Sequence, residues 1–158
     1  MLEPEERFHG SALRKGRVSI SGQTYHVTSR AATGAPQLVA PLVAFAMCPI
    51  FERASSDCSA RLLAWVLMPD HAHWLIELGD ERPLSYTVSR LKSASAGAGG
   101  RAMNAALGTS IWQTGFYDRA VRRDEDVVAV ARYVVANPLR AGLVTRLGDY
   151  PWWNSVWL

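Results

Sequence analysis

Cysteine is scarce in this chain of 158 residues: only Cys48 and Cys58 occur, at a spacing that matches no metal or redox motif. They read as free thiols of a reducing compartment. Long apolar runs are missing as well. The longest, Leu38 to Phe51, is interrupted by Pro41 and Pro49 and falls short of the roughly 20 residues that cross a bilayer. The opening stretch, Met1 to Glu6, is acidic and holds no apolar signal core. These absences argue against a disulfide scaffold, a secreted protein and a membrane span, and predict a cytoplasmic protein with no membrane role. Lysine is nearly absent, with two residues against 15 arginines. A GC-rich genome accounts for that bias, and arginine also suits bidentate phosphate contacts. The net charge of +3 (17 minus 14) permits a nucleic-acid partner without demanding one.

No internal repeat and no long linker is present, and the length fits one domain with a proper core. Residues 1–16 read as a mobile arm that turns basic at Arg14, Lys15 and Arg17; residues 17–158 read as a single domain. Val18 to Arg30 contains a first strand centred on Tyr25 to Thr28. Leu38 to Arg53 is apolar and helical, with its prolines near the ends or at a kink. Leu62 to Leu67 and His71 to Leu78 are two strands joined by a tight turn at Met68-Pro69-Asp70. Leu84 to Ala106 is a helix weakened by Gly97, Gly99 and Gly100, either kinked or broken there. Ile111 to Val121 is extended. Asp124 to Asn137 is helical, with Asp124, Glu125 and Asp126 placing negative charge at its start. The aromatic tail, Tyr150 to Trp157, docks on the body. This order predicts an α+β fold: a ferredoxin-like sandwich, with a mostly antiparallel sheet and helices packed on it.

Two histidines stand one residue apart in the second strand of the central pair. Alternate residues of a strand share a face, so His71, His73, Leu75 and Glu77 point one way. Ala72, Trp74, Ile76 and Leu78 point the other way and pack on helices. His71 and His73 are either two imidazoles of a metal site or two packed histidines of an ordinary strand. The valine stripe of the last long helix is centred between Val127 and Ala131. At about 100° per residue, Tyr133 falls roughly 120° from that centre and Asn137 about 40° from Tyr133. Tyr133 therefore projects from the edge of the stripe, as a nucleophile or as a boundary aromatic. Asn137 precedes Pro138 and reads locally as a helix end, although its amide oxygen also suits a metal. Basic residues gather in the arm, at Arg90 and Lys92, and at Arg119, Arg122 and Arg123. Each group is either a solvated surface or a set of phosphate positioners.

Four segments, in order, resemble the REP-associated tyrosine transposases, relatives of the single-tyrosine, IS200-like insertion-sequence enzymes. They are Tyr25-His26-Val27-Thr28-Ser29-Arg30; Ala64 to Ile76 with its Met-Pro-Asp-His-Ala-His centre; Trp112 to Arg119 followed by Arg122; and Tyr133 to Val144 with Asn137-Pro138-Leu139-Arg140-Ala141-Gly142. The resemblance implies a transposase that cleaves and rejoins single-stranded DNA through a 5′-phosphotyrosine. It makes Tyr133 the nucleophile, and His71 and His73, with Asn137, the ligands of Mg²⁺ or Mn²⁺. The implied partner is a single-stranded or hairpin DNA of repeat elements, gripped by the basic clusters, and the protein is a monomer or homodimer. Two rivals use the same scaffold: a non-catalytic nucleic-acid-binding module, and a phosphodiesterase with water as nucleophile. Tyr117, in a strand, is the competing phenol.

Overall fold

The structure is a computed structural model that describes residues 19–33, 35, 37–54, 59–105 and 109–158. The arm therefore lies outside the described residues, together with Cys58. The first six elements are β1 (Thr24–Arg30), α1 (Pro41–Ala54), β2 (Ala60–Leu67), β3 (His71–Leu78), α2 (Leu84–Ala102) and β4 (Tyr117–Ala120). They are followed by α3 (Val127–Val135), α4 (Asn137–Arg140), a 3-10 turn (Leu147–Asp149) and β5 (Trp153–Ser155). The sheet runs β4-β1-β3-β2-β5 and every neighbouring pair is antiparallel. Its β1-α1-β2-β3-α2-β4 core is the split β-α-β arrangement of the ferredoxin-like fold.

The alternation in β3 decides the layering. Ala72, Trp74, Ile76 and Leu78 face a core built with Val43, Met47 and Phe51 of α1 and Leu84, Val88 and Leu91 of α2. Phe51 meets Trp65 and Trp74 edge-on, at 5.3 and 5.5 Å between ring centroids. Each large apolar side chain buried completely, Trp74 and Phe51 among them, contributes about 1.5–3 kcal/mol. On the opposite face Leu75 packs with Leu63 and Ala64 of β2 and with Ala131 and Val135 of α3. Both faces of the centre are thus covered, which is why β2 reads as an almost continuous apolar run.

Several expectations change. α2 does not break at its glycines; it is one helix from Leu84 to Ala102. Gly99 faces α1, where a Cβ would sit 3.3 Å from Met47, so the missing side chain lets the two helices close together. Of the two placements expected for the prolines of α1, Pro41 takes the end and Pro49 the interior. Of Ile111 to Val121 only Tyr117–Ala120 forms a strand, while Trp112 makes a lone bridge to Ala31 and donates its Nε1–H to Ser95 Oγ at 3.1 Å. The tail does more than dock: Trp153–Ser155 extends the sheet along β2, and the Tyr150 hydroxyl donates to Leu67 O at 2.6 Å. Cys48 is a free thiol that burial pushes up to about 12, so it stays protonated. Among the described residues no helix is long and apolar enough to cross a membrane.

Candidate active site

The tight turn before β3 delivers His71 and His73 to the sheet face opposite the α1–α2 layer. Their Nε2 atoms converge to 3.1 Å, with the rings nearly perpendicular. The far nitrogen of each ring is backed by the protein. His71 Nδ1 lies 2.6 Å from Asp70 Oδ1. His73 Nδ1 lies 3.0 Å from Thr28 Oγ1 and 3.0 Å from His26 Nε2. The β1–β3 register explains the second arrangement, since Thr28 pairs with His73 and His26 with Leu75. In the tautomer with the proton on Nδ1, each ring would turn an Nε2 lone pair toward the other, the disposition in which outer partners orient metal-binding imidazoles. Burial is the main reason that His73 is pushed down to about 2 and His26 to about 4. Neighbouring charge adds to it, from His71, His26 and Arg140 at His73, and from Arg119 and Arg140 at His26. Both rings are therefore neutral at pH 7, the form that ligates.

Helix α3 lies on this same face. Asp126 caps it, its Oδ1 accepting the Val128 N–H at 2.9 Å. Val134 packs against Val66, the strand partner of His73. The adjoining Tyr133 is 58% exposed, outside the buried stripe. α3 stops at Val135 instead of running to Asn137. Pro138 has no N–H and its ring would clash with the carbonyl four residues back, Val134 O. That carbonyl accepts the Asn137 side-chain amide instead, at 2.7 Å. Because the amide nitrogen must donate there, Asn137 Oδ1 remains an open acceptor. The break also turns Arg140 back over Tyr133. Its Nη1 donates to Tyr133 O at 2.7 Å, and its guanidinium carbon sits 3.7 Å from the ring centroid.

The basic clusters separate. Arg14, Lys15 and Arg17 lie outside the described residues. Arg119 shares the histidine face as the strand partner of His26, but it is held by both carboxylate oxygens of Glu125 at 2.9 Å. The Arg122 backbone N–H, with Arg119 behind it, holds the Glu125 carboxyl below its usual range. Arg122 lies 3.6 Å from Asp124, and Arg123 is exposed in the same turn. Arg90 and Lys92 belong to α2, across the sheet from the histidines. Lys92 Nζ donates to Gln113 O and Gly115 O, at 2.6 and 2.7 Å, and so ties the loop before β4 to α2. Tyr117 lies on β4 opposite Thr28. Sequence reasoning singled out neither His26 and Thr28 nor Arg140 as members of the site. The signal for the first two was the period of β1; that β3 would be its neighbour was not readable.

The comparisons fit this geometry. The family model described as "Transposase IS200 like" matches residues 19–137, a span holding His26, Thr28, His71, His73, Tyr133 and Asn137. The REP-associated tyrosine transposase of Escherichia coli K12 is 28% identical over 101 residues, which are 63% of this chain and 56% of that protein. The match thus spans little more than half of that relative. The structure of a REP-associated tyrosine transposase bound to a REP hairpin superposes with a TM-score of 0.68 at 25% identity, covering 87% of this chain and 79% of the other. A candidate transposase from Deinococcus radiodurans R1 shares the fold, with a TM-score of 0.53 at 21% identity over 77% of this chain and 95% of the other. With three quarters of its length matched by one family model and its fold shared with these structures, the chain belongs to the IS200-like transposase family.

Proposed function

We propose that this chain is a metal-dependent cytoplasmic enzyme that cleaves and rejoins single-stranded DNA through a 5′-phosphotyrosine. The observation that carries the reading is the convergence of His71 and His73 Nε2 on the sheet face that also carries the helix of Tyr133. The donor set fits a divalent cation of the Mg²⁺ or Mn²⁺ class. Two imidazoles converge, Asp70 and the Thr28–His26 pair back their far nitrogens, and Asn137 offers an amide oxygen. Among the described residues no three His, Cys, Asp or Glu side chains gather at one point, so an ion held by His71, His73 and Asn137 would need further oxygen donors from water or the DNA phosphate. The chemistry that His71, His73 and Asn137 would gain from such an ion is polarisation of a non-bridging phosphate oxygen and compensation of charge in the transition state.

The chain's own residues do the rest. Tyr133 Oη attacks phosphorus and the bond from phosphorus to the 3′ oxygen breaks. The products are a 5′-phosphotyrosine and a 3′ hydroxyl; the phenol loses its proton and the leaving oxygen gains one. The new ester conserves the bond, so another 3′ hydroxyl reverses the step. Exposure of Tyr133 leaves its ring open to a strand arriving from solvent. Arg14, Lys15 and Arg17 in the arm, with Arg119, Arg122, Arg123, Arg90 and Lys92, grip the DNA backbone. The substrate we favour is a hairpin with a single-stranded flank, because one structural relative is described as bound to a REP hairpin.

The test is incubation of a repeat-derived hairpin DNA with the protein and Mn²⁺, followed by denaturing electrophoresis. Wild type gives a denaturation-resistant protein–DNA adduct, Tyr133→Phe gives none, and His71→Ala gives little or none. Cleavage without adduct in Tyr133→Phe would replace the tyrosine mechanism by water attack. Binding without cleavage in wild type would reduce the protein to a binding module.

A further inference from the structure

We propose that Arg140 is a catalytic residue, whose guanidinium contacts the scissile phosphate between Tyr133 and the His71–His73 pair. The inference rests on the reading above and adds to it a residue that contacts the substrate. It starts from position. In a continuous α-helix, a residue seven places after Tyr133 would stand about 10 Å further along the axis. The interruption at Ala136 and Pro138 removes that separation and lays the guanidinium 3.7 Å above the Tyr133 ring. The helix that carries Tyr133 packs on the histidine face, with Val134 in one cluster with Val66, the strand partner of His73, so the guanidinium over the Tyr133 ring belongs to that side of the sheet. Arg140 is thus a cation placed directly on the residue that carries the phenol.

Its bonding state points the same way. Arg119, the strand partner of His26, is committed to both oxygens of Glu125. Among the described residues no carboxylate is paired with Arg140. Its recorded partners are the Tyr133 carbonyl and the Tyr133 ring face. A guanidinium carries five N–H donors in a planar fork. With Nη1 on the carbonyl, donors remain for the oxygens of a phosphate. The backbone hydrogen bond ties the group to the residue that carries the nucleophile, so cation and phenol meet the phosphate as one unit. Attack by Tyr133 raises negative charge on the non-bridging oxygens. A fixed cation at that point binds the transition state more tightly than the ground state.

The experiment is single-turnover adduct formation with hairpin DNA and Mn²⁺, comparing wild type with Arg140→Ala and Arg140→Lys. Arg140→Ala should slow adduct formation about 100-fold, the size seen when one charge-stabilising donor is removed. DNA affinity should change little and Arg140→Lys should recover part of the rate. Two further readouts separate contact from scaffolding. Added guanidinium ion should partly restore Arg140→Ala. A sulfur at one non-bridging position of the scissile phosphate should slow wild type more than it slows Arg140→Ala, because the variant has already lost that contact. A wild type that forms adduct, beside an Arg140→Ala of equal rate, would overturn the assignment of Arg140 alone. So would a slow variant with the wild-type sulfur effect and no guanidinium rescue, which would mean that Arg140 only props the helix. A wild type that forms no adduct would overturn the tyrosine reading, and this inference with it.

Discussion

Thr28 and His73 face each other across the β1–β3 ladder, with Thr28 Oγ1 3.0 Å from His73 Nδ1. His26 Nε2 reaches the same nitrogen at the same distance. One ring nitrogen is thereby occupied from a neighbouring strand, and the other is left facing His71 Nε2. The tautomer of His73 is a property of the sheet register.

Loss of that support should weaken metal binding without removing a ligand. His26→Leu and Thr28→Val should each lower Mn²⁺ affinity about 10-fold, the lower end for outer partners of ligating histidines. His26→Gln keeps an acceptor near the old Nε2 position and should retain most of the affinity. Electron paramagnetic resonance titration of free Mn²⁺ measures this directly. Equal affinity in His26→Leu and wild type would show that the contact does not orient His73.

Acid should destabilise the metal-free protein through the same residues. The folded pKa values, about 4 for His26 and about 2 for His73, lie below the ordinary 6.5. The unfolded chain therefore binds more protons below pH 6.5, and stability rises with pH there. The contribution is complete above about pH 6.5 and falls as pH drops toward 4, by up to about 1.4 kcal/mol per pH unit for each histidine. Urea midpoints at pH 7, 6 and 5 should decline. His26→Gln should remove roughly half of the slope, since one of two groups is gone. A midpoint independent of pH would contradict the burial of these rings.

Two neighbouring glycines of α2 should respond in opposite ways. Gly99 faces Met47 and Val43, with 3.3 and 3.4 Å available to a Cβ, so Gly99→Val should overpack the α1–α2 seam and cost about 1–3 kcal/mol. Among the described residues only Ala105 comes within reach of a Cβ at Gly100, at 4.0 Å, so Gly100→Ala should stabilise the helix by about 0.5–1 kcal/mol. Thermal unfolding of the two variants tests the sign of each. A Gly99→Val protein as stable as wild type would mean that the seam is slack.

Ser95 is buried in α2; it donates to Leu91 O at 2.6 Å and accepts the Trp112 indole N–H. Ser95→Ala strands that indole nitrogen in the core and should cost about 1–3 kcal/mol. Denaturant unfolding reads the loss. An unchanged midpoint would require another acceptor for Trp112.

Local pattern reached far into this fold. Period-two burial identified both faces of β3, and helical spacing put the valine stripe of α3 against the sheet with Tyr133 outside it. Both signals survive because they depend on one segment and on whether it has a core to face. The readings that changed depended on partners. Gly99 weakens a helix considered alone, and next to α1 it is what permits close packing. The residues 111–116 look extended but form a lone bridge, Trp112 to Ala31, and not a strand; Lys92 and Ser95 of α2 bind the same stretch from the other side. Trp153–Ser155 became a strand because β2 offered an unpaired edge.

The candidate site divides in the same way. The sequence alone determined that two imidazoles share a strand face and that a phenol leaves a helix beside an Asn-Pro, since backbone periodicity sets both. Only the tertiary structure decided that β1 would back His73 and that α3 would lie over the histidine face. It also brought Arg140 onto the ring of Tyr133. Those placements come from strand order and from a helix broken at one proline, and they join residues far apart in the chain through packing that no local pattern records.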